Sequence, residues 1–519
     1  MMALCMVFAF TACKSGASED SGYSEWEEVI IQGGDGTTAT TSTDGGNKTT
    51  TIVKKEETAN TNSTAGNKGN ATTSTEASAN DFGSAKGNKE KMKEKLDFKG
   101  ETITIMREWN PYPNGRNRAW DNFNTWLAKC EKRFNVKIEE KKWKATLAGE
   151  MLSGVKPEGH FYLVGVTGGG NVYDMASKGY LAYMDDAMKE TGIDMTEDHY
   201  SEYNTGINNV NGKQWTIGFG FSRIASTVYY NKKILESVGY KRTLKTDTSV
   251  QYYIDANKWT WDKMTEMAKK ATKRNSSGEV TQWGIGIGGQ GITGMILSNG
   301  GHIIHPNSKG KFVSQLNTEN VKEAVQQVYD WYHVDKIASS FSGGQWTDMG
   351  KNFAQKKVAF IFGGHSEGGT AYSSLTADDY GVAYLPMGPR MKKYVAYMTW
   401  EYSYVIPATY QKRTTELLLL ADELHDWPVE GYTREDEFRD EWSRYFHSNE
   451  QYNMWYNHHY SDKIQRVWDG SSIVTSGASY EDIVNGTKTP AVWVDTYSKA
   501  VNQNAAAITK KYTYTGPLK

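Results

Sequence analysis

Apolar and polar residues alternate over Thr102-Ile103-Thr104-Ile105-Met106, the period of a half-buried strand. Trp120, Phe123, Leu127 and Phe134 then recur at helical spacing, and Val136-Lys137-Ile138 predicts the next strand. Met151 and Leu152 close a second helix, and 161–166 is an apolar run short enough for a buried parallel strand. Strand, helix, strand, helix, strand at this spacing predicts an α/β unit with a parallel sheet. Extended segments follow at 214–221 and 225–230. Residues 261–273 predict an amphipathic helix with Met264, Met267, Ala268 and Ala271 on one face and Thr260 as its N-cap. Further strands are expected at 283–287, 358–362, 381–385 and 402–406, and further helices at 291–297, 321–332, 346–355 and 414–424. After Thr433 the pattern reads as nearly all helical. Two α/β sets in one chain, with a helical tail, predict two lobes.

The first stretch of the chain is different. Residues 1–12 are apolar apart from Thr11, and Cys13 follows. That run is too short to span a bilayer as a helix and reads as the apolar core of a secretory signal. Phe10-Thr11-Ala12-Cys13 resembles a bacterial lipobox, with Phe where Leu is usual, so Cys13 is expected to carry a lipid. Residues 14–95 are expected to be an unfolded tether, because 31–80 hold mostly Thr, Gly, Asn, Ser and Ala, too little apolar surface to offset chain entropy. Cys130 is the one cysteine left after Cys5 and Cys13. It is expected as a small buried hydrophobe, and no Cys-x-x-Cys pair supports a zinc or redox site.

Composition sharpens this picture. The 519 residues carry 59 Lys+Arg against 61 Asp+Glu, a net charge of -2, which argues against a nucleic-acid binder acting through a broad basic field. Aromatics number 16 Phe, 17 Trp and 32 Tyr, and none falls between Trp26 and Phe82, so the folded part is richer than the chain average. Tyr and Trp join a flat apolar face to a polar edge, a chemistry suited to a binding cleft as well as to a core.

Five segments in order resemble one family. Tyr229-Tyr230-Asn231-Lys232-Lys233-Ile234-Leu235 with Val238-Gly239 is similar to the "YYNK..L...G" stretch of extracellular solute-binding proteins of the maltose-binding type. Trp259-Thr260-Trp261-Asp262 with Met267-Ala268 resembles the helix that follows it, and Ser298-Asn299-Gly300-Gly301 a paired-Gly loop. The segment 353–360 resembles "F..GK.AM", and Tyr380-Gly381-Val382-Ala383 with Leu385-Pro386 resembles "YGVA.LP". The resemblance implies a periplasmic-binding-protein-like fold, two α/β lobes with a hinge and an interlobe cleft, as a monomer. It places chain crossings near 224–227, 393–399 and 444. Lobe 1 is then 96–226 with 394–444, and lobe 2 is 227–393 with 445–519. It also implies a carbohydrate ligand, ABC transporter permease partners, no cofactor, and a place on the outer face of a bacterial membrane held through Cys13.

Two short motifs compete. Gly284-Ile285-Gly286-Ile287-Gly288-Gly289 fits a dinucleotide fingerprint, but no acidic residue follows until Glu319, so a close backbone approach is the simpler reading. Gly364-His365-Ser366-Glu367-Gly368 fits the nucleophile elbow of a serine esterase or lipase, with Asp422, Asp426, His447, His458 and His459 as partners in chain order. That is the alternative function, using Ser366. His458 and His459 are otherwise expected at the surface. An adhesin that holds glycans without transport is a third reading.

Ligands of open α/β sheets bind outside the carboxyl ends of strands. That rule selects Glu108, Trp109 and Asn110 after the first strand, Gly169 and Asn171 after the third, and His365, Ser366 and Glu367 after 358–362. Trp215, Trp283, Trp400 and Glu401 join them beside other turns. Trp faces cover the C–H face of a sugar, and the polar groups pair with its hydroxyls. Trp109 and Trp400 are the expected anchors, while Trp261 and Trp331 are assigned to core.

Overall fold

The computed structural model describes residues 31–32, 37–44, 47–54, 80–107, 118–165, 172–197, 199–201, 206, 209–219, 221, 223–339, 346–364, 375–399, 402–426, 431–442, 446–472 and 476–516. The chain forms two compact units, Met1–Asn70 and Ala71–Lys519. In the first, strands Thr37–Asp44 and Asn47–Lys54 pair antiparallel, with Ile31–Gln32 beside them.

In the second unit, the last residues of the stretch expected as tether are packed. Phe82, Met92, Leu96 and Phe98 are buried, and helix α1 (Lys89–Lys95) is capped by the Asn88 side chain. Burying these apolar side chains makes the chain from Asn80 part of the body.

The first sheet contains β1 (Glu101–Arg107), β2 (Val136–Lys142) and β3 (Phe161–Gly165), all parallel. β1 lies centrally, and its Ile103, Thr104, Ile105 and Met106 are all buried, as both faces of a covered parallel strand require. Helix α2 (Arg118–Arg133) links β1 to β2, and α3 (Leu147–Ser153) links β2 to β3. Cys130 on α2 is buried, as expected.

The second sheet is built on β4 (Arg223–Asn231), β5 (Val280–Gly286), β6 (Val358–Gly363), β7 (Tyr380–Ala383) and β8 (Tyr394–Thr399). β9 (Tyr402–Val405) returns to the first sheet, antiparallel to β3. β10 (Ile464–Val467) completes the second, parallel to β8, in a stretch the sequence reads as nearly all helical. The orders are β9-β3-β1-β2 and, from Lys273–Arg274, β5-β6-β4-β8-β10.

Helix α4 (Trp261–Ala271) starts with the Thr260 side chain accepting from the Lys263 amide, and buries Trp261, Met264, Met267, Ala268 and Ala271. Trp331 is also buried, so both core assignments stand. A Cβ on Gly284 would lie 2.5 Å from the Ala268 carbonyl oxygen, so this glycine lets α4 lie close against β5. The Gly-rich run therefore has a packing reason.

The expected lobe boundaries shift. β4 already belongs to the second sheet from Arg223, and β8 belongs to it through Thr399. Lobe 1 resumes at β9 and continues through helix α5 (Thr414–His425). Helix α6 (Arg434–Trp442) follows, and it lies against α2 of lobe 1. Phe438 and Trp442 of α6 pack with Tyr452 and Trp455 of α7 (Asn449–Tyr460) in the lobe 2 core. Among the described residues, no helix is long and apolar enough to cross a membrane.

Candidate functional site

Register defines which ends of the strands share an edge. In lobe 1, Arg107 lies opposite Lys142, and Tyr402 opposite Gly165, so β1, β2 and β3 end where β9 begins. In lobe 2, Gly363 lies opposite Thr227 and Thr399 opposite Arg223, so β5, β6 and β8 end where β4 begins. The chain passes from one edge to the other immediately before Arg223 and between Thr399 and Tyr402. The cleft lies between those two carboxyl edges.

On the lobe 1 edge, the Arg107 guanidinium is paired with Glu140. Trp143 follows β2, its amide bonded to the Arg107 carbonyl at 2.8 Å. Its half-buried ring stacks on Tyr162 at 6.4 Å between centroids. The Tyr162 hydroxyl donates to Glu150 and accepts from the Gly159 amide. Burial raises the Glu150 carboxyl above the usual range, against the opposing effect of the Tyr162 bond. Trp143 was missed from sequence because the second strand was expected to stop at Ile138. The structure extends it to Lys142, and the strand-end rule then selects Trp143.

On the lobe 2 edge, Gly286 leads through Ile287 into the helix Gly289–Ser298. The Tyr332 hydroxyl donates to the Ile287 carbonyl at 2.6 Å, and the Tyr229 hydroxyl to the Gly364 carbonyl at 3.0 Å. Both turns are thus held from below by tyrosines. Phe221, just before β4, meets Phe438 edge-on at 4.8 Å.

The expected site residues divide into two groups. Glu108, Trp109, Asn110, Gly169, Asn171, His365, Ser366, Glu367, Trp400 and Glu401 lie outside the described residues, as does Cys13. Trp215 and Trp283 are described, and the register carries both away from the edge. Ile217 bridges Tyr404, which puts Trp215 toward Pro407, where its ring meets Tyr183 at 6.0 Å. Trp283 pairs with Val358 at the start of β6, the end opposite the cleft.

Of the partners proposed for Ser366, Asp422 and His458 are held in bonds of their own. Asp422 is fully buried in lobe 1, bonded to Lys93, His199 and Tyr200. His458 and His459 are buried, not at the surface: α7 packs that face on the lobe 2 core. His458 binds the Met454 carbonyl at 2.8 Å and Thr227 Oγ1 at 2.9 Å. Asp426 joins Glu197 and His199 in a group whose ligand atoms lie within 4.8 Å of one another. The Lys89 ammonium already meets Glu197 there at 2.5 Å.

Residues 163–421 match the family described as bacterial extracellular solute-binding protein. That stretch runs from β3 through nearly all of α5, across both lobes, and is similar to that family. No curated protein matches the chain. Among solved structures, the chain is similar to a Listeria monocytogenes ABC substrate-binding protein in complex with cycloalternan. Identity is 14%, the TM-score 0.52, and the match covers 78% of this chain and 99% of that one. It is also similar to a cyclic alpha-maltosyl-1,6-maltose binding protein from Arthrobacter globiformis, at 15% identity and TM-score 0.52, over 79% and 99% of the two chains. A Thermotoga lettingae solute-binding protein bound with alpha-D-tagatose matches at 16% and 0.50, over 78% and 100%. At these identities the likeness is one of fold: two lobes of the solute-binding type. Family and fold are those of binding proteins.

Proposed function

We propose that this protein captures a sugar or oligosaccharide between its lobes and delivers it to the permease of an ABC importer, tethered to the outer face of a bacterial membrane through a lipid on Cys13. The observation that carries the reading is the cleft between two carboxyl edges, spanned by a solute-binding family match. Trp143 supplies one aromatic face on the lobe 1 edge. Trp109, Glu108 and Asn110 directly follow the last residue of β1, and Trp400 and Glu401 occupy the crossing between β8 and β9. Asn171, His365, Ser366 and Glu367 follow β3 and β6 and supply hydroxyl partners. The three structural relatives named above are described with carbohydrate ligands, which favours this class over peptides and amines.

A thermal-shift screen against cyclic and linear oligosaccharides, monosaccharides, peptides and polyamines tests it. A ligand at 100 times its Kd adds about 2.7 kcal/mol of stability, enough to move a melting temperature measurably. A carbohydrate hit is expected, and Trp109→Ala should weaken that binding by roughly 2 kcal/mol while leaving the melting temperature of the free protein nearly unchanged. Stabilisation by peptides or polyamines alone overturns the carbohydrate assignment.

A further inference from the structure

A cluster of ionisable side chains in lobe 1 lies outside the set assigned to the sugar. The chain turns tightly there: the Glu197 amide donates to the Asp194 carbonyl at 3.2 Å, and the Tyr200 amide to the Glu197 carbonyl at 3.0 Å. The Ser201 amide fastens these turns to the Gly218 carbonyl at 2.8 Å. Glu197 and His199 thus stand two residues apart on a fixed backbone. Opposite them α5 ends, and Asp426 follows its last residue, its amide bonded to the Asp422 carbonyl at 2.9 Å. One ligand atom from each of Glu197, His199 and Asp426 lies within 4.8 Å of the other two. His199 is the buried member, Glu197 is half-buried and Asp426 is exposed, so the group opens to solvent on one side.

His199 is held in place by its own surroundings. Its ring lies against Tyr200 at 4.2 Å and Phe219 at 6.3 Å, and its Nε2 meets Asp422 Oδ1 at 3.0 Å. Burial opposes ionisation of Asp422, but its His199, Lys93 and Tyr200 contacts outweigh that, so the carboxylate accepts and Nε2 carries the proton. Asp426 Oδ1 stands 3.9 Å from Nδ1. That is too long for a hydrogen bond. It fits two metal–ligand bonds of about 2.0–2.2 Å each that share one ion. A carboxylate behind a ligating imidazole is also the usual outer support of a metal-binding histidine. Charge favours a cation here as well. The carboxylates of Glu197, Asp422, Glu423 and Asp426 outnumber Lys89, Lys93 and Arg133, the cations that meet them among the described residues. Asp426 sits at the carboxyl end of α5, the end of a helix that attracts positive charge.

We propose that Glu197, His199 and Asp426 bind one divalent transition-metal ion of the zinc class, with water completing its shell. One imidazole and two carboxylates make a three-ligand zinc set, whereas calcium and magnesium take oxygen ligands. The ion pins the turns at 194–200 to the end of α5. Lys89 is its competitor: the ammonium holds Glu197 at 2.5 Å and lies 3.6 Å from Asp422, so the ion must draw Glu197 away from it.

The inference needs no sugar and is tested without one. The full chain, untagged and carrying Cys5→Ser and Cys13→Ser, is stripped with a chelator and titrated with zinc chloride by calorimetry. One equivalent should bind and raise the melting temperature. Asp426→Asn, at an exposed side chain, should weaken zinc binding roughly tenfold or more and leave the melting temperature of the metal-free protein unchanged. Lys89→Met should tighten binding by about tenfold, because it removes a positive charge beside the ion. His199→Ala should abolish binding, and Asp426→Asn carries the test if that variant does not fold. A wild-type chain that binds no zinc overturns the proposal. An affinity that neither Asp426→Asn nor Glu197→Gln changes also overturns it, because the ion then sits on other side chains.

Discussion

Lys93 keeps its ammonium almost wholly out of water, and three carboxylates explain how. Asp422 lies 2.7 Å away, Glu423 2.8 Å and Glu90 3.2 Å. Burial disfavours the cation, yet Asp422 and Glu423 outweigh it and hold its pKa above the usual lysine range. Burial likewise opposes ionisation of Asp422, and the His199, Lys93 and Tyr200 contacts reverse that and hold its carboxyl below the usual range. This network fixes α1 to α5. Lys93→Met leaves two carboxylates buried without their main cation, and should cost about 3–5 kcal/mol, the usual penalty for breaking one side of a buried pair. A urea-denaturation midpoint measures it. Lys93→Met with Asp422→Asn should recover part of the loss, because one of the stranded charges is then removed. Nothing in the sequence marks Lys93 for this role, since its two buried partners, Asp422 and Glu423, lie more than 300 residues away and Lys is rarely fully buried.

Elements were legible where a local signal was complete. In α4, Thr260, the inward Met and Ala positions and the strand after it agree, and the helix forms where expected. Thr260→Ala should cost about 1 kcal/mol, because the Lys263 amide loses its acceptor at the helix start. A shift in denaturant midpoint without a change in slope is the expected readout. Where signals were incomplete, the reading failed for physical reasons. β2 continues through Glu139-Glu140-Lys141-Lys142, charged residues of a sheet edge strand that carry no apolar alternation, so its end and Trp143 were hidden. β10 is four residues long and holds its place through parallel pairing with β8, a contact that sequence spacing does not encode. The segment 80–95 looked like tether because its apolar residues are few, and only the tertiary contacts of Phe82 and Met92 make it part of the body. Trp215 and Trp283 show the limit of the strand-end rule: both lie near turns, but at the wrong ends.

At the scale of the whole molecule, two sheets, one in each lobe, were foreseeable, but the histidines that lock lobe 2 were not. His302, His458 and His459 are neutral and largely out of water. Burial lowers His302 to about 4, despite a bond donated by its ring to the Trp468 backbone, which favours the charged form. Burial lowers His458 to about 4, and burial with the nearby His458 and Arg466 lowers His459 to about 3. In the unfolded chain each titrates near 6.5. Below that value the unfolded state takes up protons that the folded state does not, so stability falls as pH falls from about 6.5 toward 4. Each group contributes a slope of up to about 1.4 kcal/mol per pH unit, and the three together up to about 4. Asp469 works in the other direction: burial raises its carboxyl, so the folded state binds that proton more readily as pH falls. Paired carboxylates such as Glu101, held near 2 by His160 and Arg413, add their own loss below about pH 4.5. The expected profile is therefore flat above pH 7, with a steep fall beginning near pH 6, ahead of ordinary carboxylate titration. Denaturant unfolding from pH 8 to pH 4 reads it directly. His459→Gln, which cannot protonate, should be less stable at pH 8 for its imperfect packing but should lose stability less steeply between pH 6 and pH 4, by about 1 kcal/mol per unit. Equal slopes in the two proteins would show that His459 does not contribute to the acid limit of the fold.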